Sequence, residues 1–192
     1  VARRLRAEVR FSFPAVVSLL LCTDRAGTAV FCLLACMLHE LGHILMMLAE
    51  RKPPRKITFY GGGILLSAEG FESVRVLIGG VAANFLVFLI SFFYGTWLGG
   101  SPRLLLFGAV NLLTGGLNLL PIRPLDGGRL VEKALLRLLP PESAMRAMRG
   151  VEIAVGALLI PSVIFFFARG MIGFSSVVFL IYLLAVDFLE KL

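Results

Sequence analysis

The chain of 192 residues is 58% hydrophobic and only 16% charged, whereas about 25% of the residues in a soluble domain are charged. This composition excludes an ordinary soluble domain. It predicts instead that the chain crosses the bilayer several times, with about 20 residues in each crossing. The net charge of +7 comes from Lys and Arg residues that lie between apolar runs. It therefore indicates membrane topology and contact with anionic headgroups rather than binding to nucleic acid.

Apolar segments along the chain predict an all-α polytopic membrane protein with about six transmembrane segments. Residues 1–10 form a basic arm. Residues 11–22 are apolar but short and contain Pro14, so they predict a thin span or an interfacial helix. Longer spans are predicted at 26–48, 74–97, 104–120, 151–168 and 172–190.

Residues 57–70 interrupt this series. Their sequence, ITFYGGGILLSAEG, is rich in β-branched, aromatic and glycine residues. It predicts two short strands around a glycine turn. This β-hairpin could be re-entrant or membrane-associated, or it could lie plainly in the cytoplasm.

The positive residues predict an orientation for these segments. If the N-terminus lies in the cytoplasm, sixteen of the 19 Lys and Arg residues fall on the cytoplasmic side. Such an excess marks cytoplasmic loops. The ends of the spans 26–48 and 104–120 then lie near the same, cytoplasmic face of the bilayer.

The span 26–48 contains the sequence His39-Glu40-Leu41-Gly42-His43. Two histidines at positions i and i+4 project from one helical face and can bind one zinc ion together. Zinc lowers the pKa of a bound water toward about 7, and Glu40 is placed to take the proton. The alternative is that both histidines only form hydrogen bonds with neighbouring helices.

A catalytic zinc commonly takes a third protein ligand. Asp126 is a candidate because it follows the span 104–120 and so returns near the cytoplasmic face, next to Gly127 and Gly128. Its alternative role is the N-cap of a helix at 129–139. Cys36, on the same helical face as the histidines, competes as the ligand, and Glu69, Glu72 and Asp187 are weaker candidates. The three cysteines lie in apolar segments, which argues against a disulfide framework.

The two motifs together resemble those of the site-2 protease family of intramembrane zinc metalloproteases. The second motif runs Asn118-x-x-Pro121-x-x-x-Leu125-Asp126-Gly127-Gly128. The resemblance covers most of the chain and looks closest to the branch of the bacterial stage IV sporulation protein FB. It implies that His39, His43 and Asp126 bind zinc and that Glu40 is the general base.

The resemblance also implies roles for two asparagines. Asn84, in the sequence Gly79-Gly80-Val81-Ala82-Ala83-Asn84, corresponds loosely to a family asparagine that holds substrate or stabilises an oxyanion, and Asn118 would play a similar part. The alternative for each is an interhelical hydrogen bond. The hairpin resembles the family's re-entrant hairpin, whose edge could pair with an unwound substrate.

These observations predict one membrane-embedded domain over 1–192, with a catalytic core at 26–128 and two C-terminal spans at 151–190. The expected activity is hydrolysis of a peptide bond in or near a transmembrane segment of a substrate in a bacterial cell membrane, which would release a cytoplasmic factor. A regulatory membrane partner is expected, and nucleic acid is not. A metal transporter and a catalytically silent scaffold are the alternatives. The sporulation branch often has a C-terminal nucleotide-binding domain, which these residues do not include.

Overall fold

The computed structural model describes residues 6–23, 28–60, 63–67 and 73–170. Within these ranges it contains six helices and three strands. In chain order they are β1 Arg6–Val9, α1 Ser12–Thr23, α2 Thr28–Ala49, β2 Lys56–Tyr60, β3 Gly63–Ser67, α3 Val74–Trp97, α4 Pro102–Asn118, α5 Asp126–Leu138 and α6 Pro141–Ala168. The chain divides into two compact units, Val1–Leu117 and Asn118–Leu192.

Three of the described helices are long and apolar enough to cross a membrane, namely α2, α3 and α6. Helices α2 and α3 correspond to the predicted spans 26–48 and 74–97. The predicted span 151–168 is only part of α6, which begins ten residues earlier at Pro141. The fixed φ angle of proline suits the first position of a helix, where a backbone N–H would have no acceptor within the helix. Pro141 can therefore begin α6, and the polar residues that follow it belong to the helix.

The other predicted segments do not add a spanning helix within the described ranges. Helix α1 has 12 residues, about 18 Å of rise, which is shorter than the hydrocarbon core of about 30 Å. Helix α4 has 17 residues. The segment 172–190 lies outside the described residues, so the count of six spans stays a prediction.

The spanning helices expose broad apolar faces. Helix α2 exposes a stripe of aliphatic side chains at helical spacing, formed by Val30, Leu34, Met37, Leu41, Leu45 and Leu48. Helix α3 exposes Tyr94 and Trp97 near its end, where aromatic side chains favour the membrane interface. Apolar surface of this extent is unfavourable in water and marks contact with a membrane or another protein. Together with the length of the three helices, it indicates a membrane protein.

Small residues let α2 and α3 pack closely in the first unit. A Cβ added at Gly42 would collide with the carbonyl oxygen of Gly79 and would lie 2.8 Å from the Cβ of Ala83. Backbones can approach this closely only where side chains are absent or small. Met47, near the end of α2, and Val76, near the start of α3, form a buried cluster.

The predicted hairpin at 57–70 forms as strands β2 and β3, which pair in antiparallel register from Lys56 opposite Ser67 to Tyr60 opposite Gly63. A third strand, β1, pairs with β2 in parallel, so the sheet has the order β1-β2-β3. The basic arm at 1–10 thus contains a strand at Arg6–Val9 that the sequence analysis did not predict. A lone strand of four residues gives little sequence signal because its partner is 50 residues away.

The second unit contains α5, α6 and the turn before α5. Helix α5 covers most of the helix expected at 129–139 and begins three residues earlier, at Asp126. The turn is held by backbone hydrogen bonds from Ile122 N–H to the Leu120 carbonyl (2.8 Å) and from Leu125 N–H to the Ile122 carbonyl (2.9 Å).

Candidate metal centre

The two motif histidines meet on one face of α2. His39 and His43 are 5% and 2% exposed, and their Nε2 atoms are 3.1 Å apart. The i, i+4 spacing of the motif produces this arrangement because such residues are neighbours on a helix. The first unit therefore presents two imidazole nitrogens that converge on one point.

A backbone carbonyl orients His43. The His43 Nδ1–H donates to the carbonyl oxygen of Val76 at 2.7 Å. A carbonyl can only accept, so this contact places the proton on Nδ1 and leaves the lone pair on Nε2. A second hydrogen bond of this kind commonly fixes the ring orientation of a metal-binding histidine.

The Val76 carbonyl is in turn held by the start of α3. Ser73 caps this helix by accepting a hydrogen bond from Val76 N–H at 3.2 Å. The Ser73 hydroxyl donates to Glu50 at 2.8 Å, which links the end of α2 to the start of α3. These contacts set the position from which His43 is oriented.

Gly80 forms the wall opposite the histidines. A Cβ at this position would lie 2.5 Å from His43 Nε2 and 2.8 Å from His39 Cε1. The α3 backbone can therefore approach both imidazoles only because residue 80 has no side chain. A cradle of this shape, closed around two imidazole nitrogens, fits a small metal ion.

Two further predicted residues lie in the first unit. Glu40 is half-buried on α2, directly after His39. Asn84 is fully buried and shares a face of α3 with Gly80, one turn away. Its Oδ1 and Nδ2 have no hydrogen-bond partner among the described residues, so the alternative of an interhelical hydrogen bond is not formed there.

The third predicted ligand, Asp126, belongs to the second unit and is 6% exposed. It is the first residue of α5, and the cap position is held by Leu125 without a side-chain hydrogen bond. The alternative role of Asp126 as an N-cap is therefore wrong. The helix dipole favours a carboxylate in this first turn.

Glycines 127 and 128 allow the chain to fold tightly beside Asp126. A Cβ at Gly127 would collide with the carbonyl of Leu119, and one at Gly128 would collide with that of Ile122. Both glycines are buried. The turn before α5 therefore packs directly against the backbone that carries Asp126.

His39 and His43 in the first unit and Asp126 in the second make up a set of buried side chains of the types that bind zinc. Two imidazoles and one carboxylate suit zinc, which takes three protein ligands in catalytic sites. Cys36 is exposed and is not in this set. Asn118 is half-buried at the end of α4, while Glu69, Glu72 and Asp187 lie outside the described residues.

Sequence reasoning missed the supporting groups. Gly80 was seen only as part of a small-residue motif, although its place one turn before Asn84 was a usable signal. The Val76 carbonyl left no sequence signal, because every residue carries a backbone carbonyl and only packing selects one.

No family model matches the chain, but it is similar to curated relatives. A zinc metalloprotease of Methanocaldococcus jannaschii is 31% identical over 105 residues, covering 51% of this chain and 31% of the relative. A protein of Synechocystis sp. named as a candidate zinc metalloprotease is 31% identical over 120 residues, covering 58% and 32%. A Mycobacterium tuberculosis protein with the same kind of name is 30% identical over 191 residues, covering 84% and 44%.

The chain thus spans 31–44% of the length of these relatives. In solved structures it is similar to the site-2 protease from Methanocaldococcus jannaschii, with a TM-score of 0.61 over 98% of this chain and 88% of that chain. Their sequence identity is 18%, so this likeness concerns the fold. The chain has a site-2 protease fold and resembles, in sequence, proteins named as zinc metalloproteases.

Proposed function

We propose that this chain is the catalytic core of an intramembrane zinc metalloprotease, which hydrolyses a peptide bond in or near a transmembrane segment of another protein. His39, His43 and Asp126 are its zinc ligands, and Glu40 is its general base. The observation that carries the proposal is the convergence of two buried imidazole nitrogens, 3.1 Å apart, beside a carboxylate on the same helix. The names of the relatives support the same assignment.

Each of these residues has a separate role in the proposed hydrolysis. Bound zinc would supply a Lewis acid for amide hydrolysis. Glu40 would accept a proton from the attacking water and pass it to the leaving amine. Asn84 would donate from its buried amide to the developing oxyanion, with Asn118 as a second donor near the end of α4.

Strand β3 is the proposed docking edge for substrate. It is the last strand in the order β1-β2-β3, and among the described strands none pairs with its outer edge. A substrate helix must unwind before a nucleophile can reach its peptide bonds, and an extended segment can pair with such an edge. The sheet contacts the Met47 and Val76 cluster through Ile57, close to the carbonyl that orients His43.

The finer parts of the proposal follow from the sequence. The N-terminus and the active site face the cytoplasm of a bacterial cell, and cleavage releases a cytoplasmic factor under the control of a membrane partner. The stage IV sporulation protein FB branch is the proposed place of the chain within the family.

The test combines zinc content with cleavage of a reporter membrane protein, for the parent, Glu40→Gln and Asp126→Asn. We expect about one zinc per chain in the parent and in Glu40→Gln. Loss of the base should lower the cleavage rate by about 10²–10⁴-fold. Asp126→Asn should lower both zinc content and cleavage.

Glu142→Gln is the matched control, because this carboxylate is exposed in the first turn of α6 and should change neither quantity. Cleavage by Glu40→Gln at the parental rate would contradict the role of the base. Bound zinc without cleavage in any variant would favour a silent scaffold, and a parent without zinc would contradict the ligand set.

A further inference from the structure

An ion pair in the second unit connects the turn before Asp126 with α6. Arg123 Nε donates to Glu152 Oε1 at 2.9 Å, and Arg123 Nη2 donates to Oε2 at 3.1 Å. The backbone N–H of Arg123 also donates to Oε1, at 3.4 Å. Glu152 therefore holds both the side chain and the main chain of one residue in the turn.

The burial of Glu152 makes its contact with Arg123 difficult to break. Glu152 is only 8% exposed, and no charged residue follows it in α6 until the helix ends at Ala168. A carboxylate there is destabilising unless it is paired with good geometry. A paired Glu152 requires Arg123, and hence the turn, to stay against α6.

The turn transmits this constraint to Asp126. The Leu125 N–H donates to the Ile122 carbonyl, and a Cβ at Gly128 would lie 2.5 Å from the backbone nitrogen of Arg123. Arg123 is therefore packed against the first turn of α5, which Asp126 begins. A movement of Arg123 must shift the backbone that carries the Asp126 carboxylate.

We infer that Arg123 and Glu152 are positioning residues that hold the Asp126 carboxylate in place for metal binding. The inference rests on the proposed function, in which Asp126 is a zinc ligand. Groups that orient a metal ligand typically change metal affinity by about 10–100-fold when they are removed. A hydrophobic pair could join the same helices without directing the turn, whereas a bidentate pair sets both distance and angle.

The experiment uses the full chain in detergent, with Glu152→Gln, Arg123→Gln and the exchanged double variant Arg123→Glu/Glu152→Arg. Zinc affinity is measured by competition with a chelator, and amide exchange over residues 119–126 is measured in zinc-free protein. Each single variant should weaken zinc binding by about tenfold or more and speed exchange in the turn. The double variant should restore both toward the parent.

Arg146→Gln is the control, because Arg146 is exposed on α6 and its side chain donates a hydrogen bond to Ser143 on the same helix. Arg146→Gln should leave both zinc affinity and amide exchange unchanged. If a neutral variant fails to fold, Arg123→Lys replaces it, since this change keeps the charge and removes the bidentate geometry. We expect Arg123→Lys to fall between the parent and the neutral variants in both readouts.

Unchanged exchange in the turn of both single variants would overturn the inference, as would faster exchange with unchanged zinc affinity. Asp126→Asn separates this failure from that of the proposed function. If Asp126→Asn binds zinc as the parent does, the ligand assignment fails. Amide exchange alone then decides whether the ion pair orders the turn.

Discussion

At the scale of single residues, the candidate site depends as much on a missing side chain as on the groups that carry chemistry. The motif histidines could be recognised from their spacing. Their usable geometry depends on Gly80, whose hydrogen faces both imidazoles where a methyl group would overlap them. The site is thus shaped by close backbone approach, which residue spacing on one helix cannot reveal.

Gly80→Ala tests this dependence. The added methyl group should displace one imidazole and lower zinc affinity by about tenfold or more, the range found when support for a ligand is lost. Zinc affinity measured by chelator competition checks the result. Alanine is the better helix former by about 1 kcal/mol, so loss of helix propensity cannot explain weaker binding.

Gly116→Ala is the matched control because a Cβ at Gly116 meets nothing within 4 Å. It should bind zinc as the parent does. Equal zinc affinity in Gly80→Ala and Gly116→Ala would show that the wall formed by Gly80 does not limit the site.

At the scale of elements, the sheet illustrates how distant segments combine. The hairpin of β2 and β3 was predictable because the sequence places Gly61-Gly62-Gly63 between two runs of strand-forming residues. Strand β1 joins them through contacts that include an ion pair between Glu8 and Lys56. The hydrogen bond and the charge of Lys56 hold the pKa of Glu8 below its ordinary value.

This pairing predicts a pH dependence of β1. A lowered pKa in the folded state stabilises the strand at higher pH, and that contribution is lost as the pH falls through the lowered pKa, below about 4. Amide exchange in Arg6–Val9, corrected for the intrinsic effect of pH, should therefore speed up in acid. The effect should be small because the side chains of Lys56 and Glu8 are 42% and 47% exposed, and water weakens an ion pair at such a position.

Glu8→Gln should remove this pH dependence, whereas Glu142→Gln, on α6 of the second unit, should retain it. An acid response in Glu8→Gln equal to that of the parent would assign the titration to another group.

At the scale of the whole molecule, the apolar faces of α2, α3 and α6 require a bilayer. Cys32 and Cys36 are exposed on α2, within a stretch that is long and apolar enough to span. Lipid should therefore cover both thiols in the native membrane. In such a protein, a side chain that is exposed on the isolated chain can be covered by lipid and therefore be out of reach of water.

A charged maleimide tests this cover in a Cys22→Ser background, in membranes opened to the reagent on both sides. Cys32 and Cys36 should label slowly in the bilayer and rapidly after denaturation. Ser101→Cys provides the positive control, because this exposed position precedes α4 in a polar loop. Labelling of the α2 cysteines at the rate of the control would contradict a lipid-covered helix.

The sequence by itself determined the elements whose signals are local. Apolar length placed α2 and α3, the glycine turn placed the hairpin, and the i, i+4 spacing placed His39 and His43 on one face, because each signal lies within about 25 residues. Tertiary structure alone decided which backbone groups approach those residues. The Val76 carbonyl, the bare backbone at Gly80 and the Arg123–Glu152 pair all act through contacts between separate elements. Helix packing selects such contacts, and neither residue type nor spacing along the chain specifies them in advance.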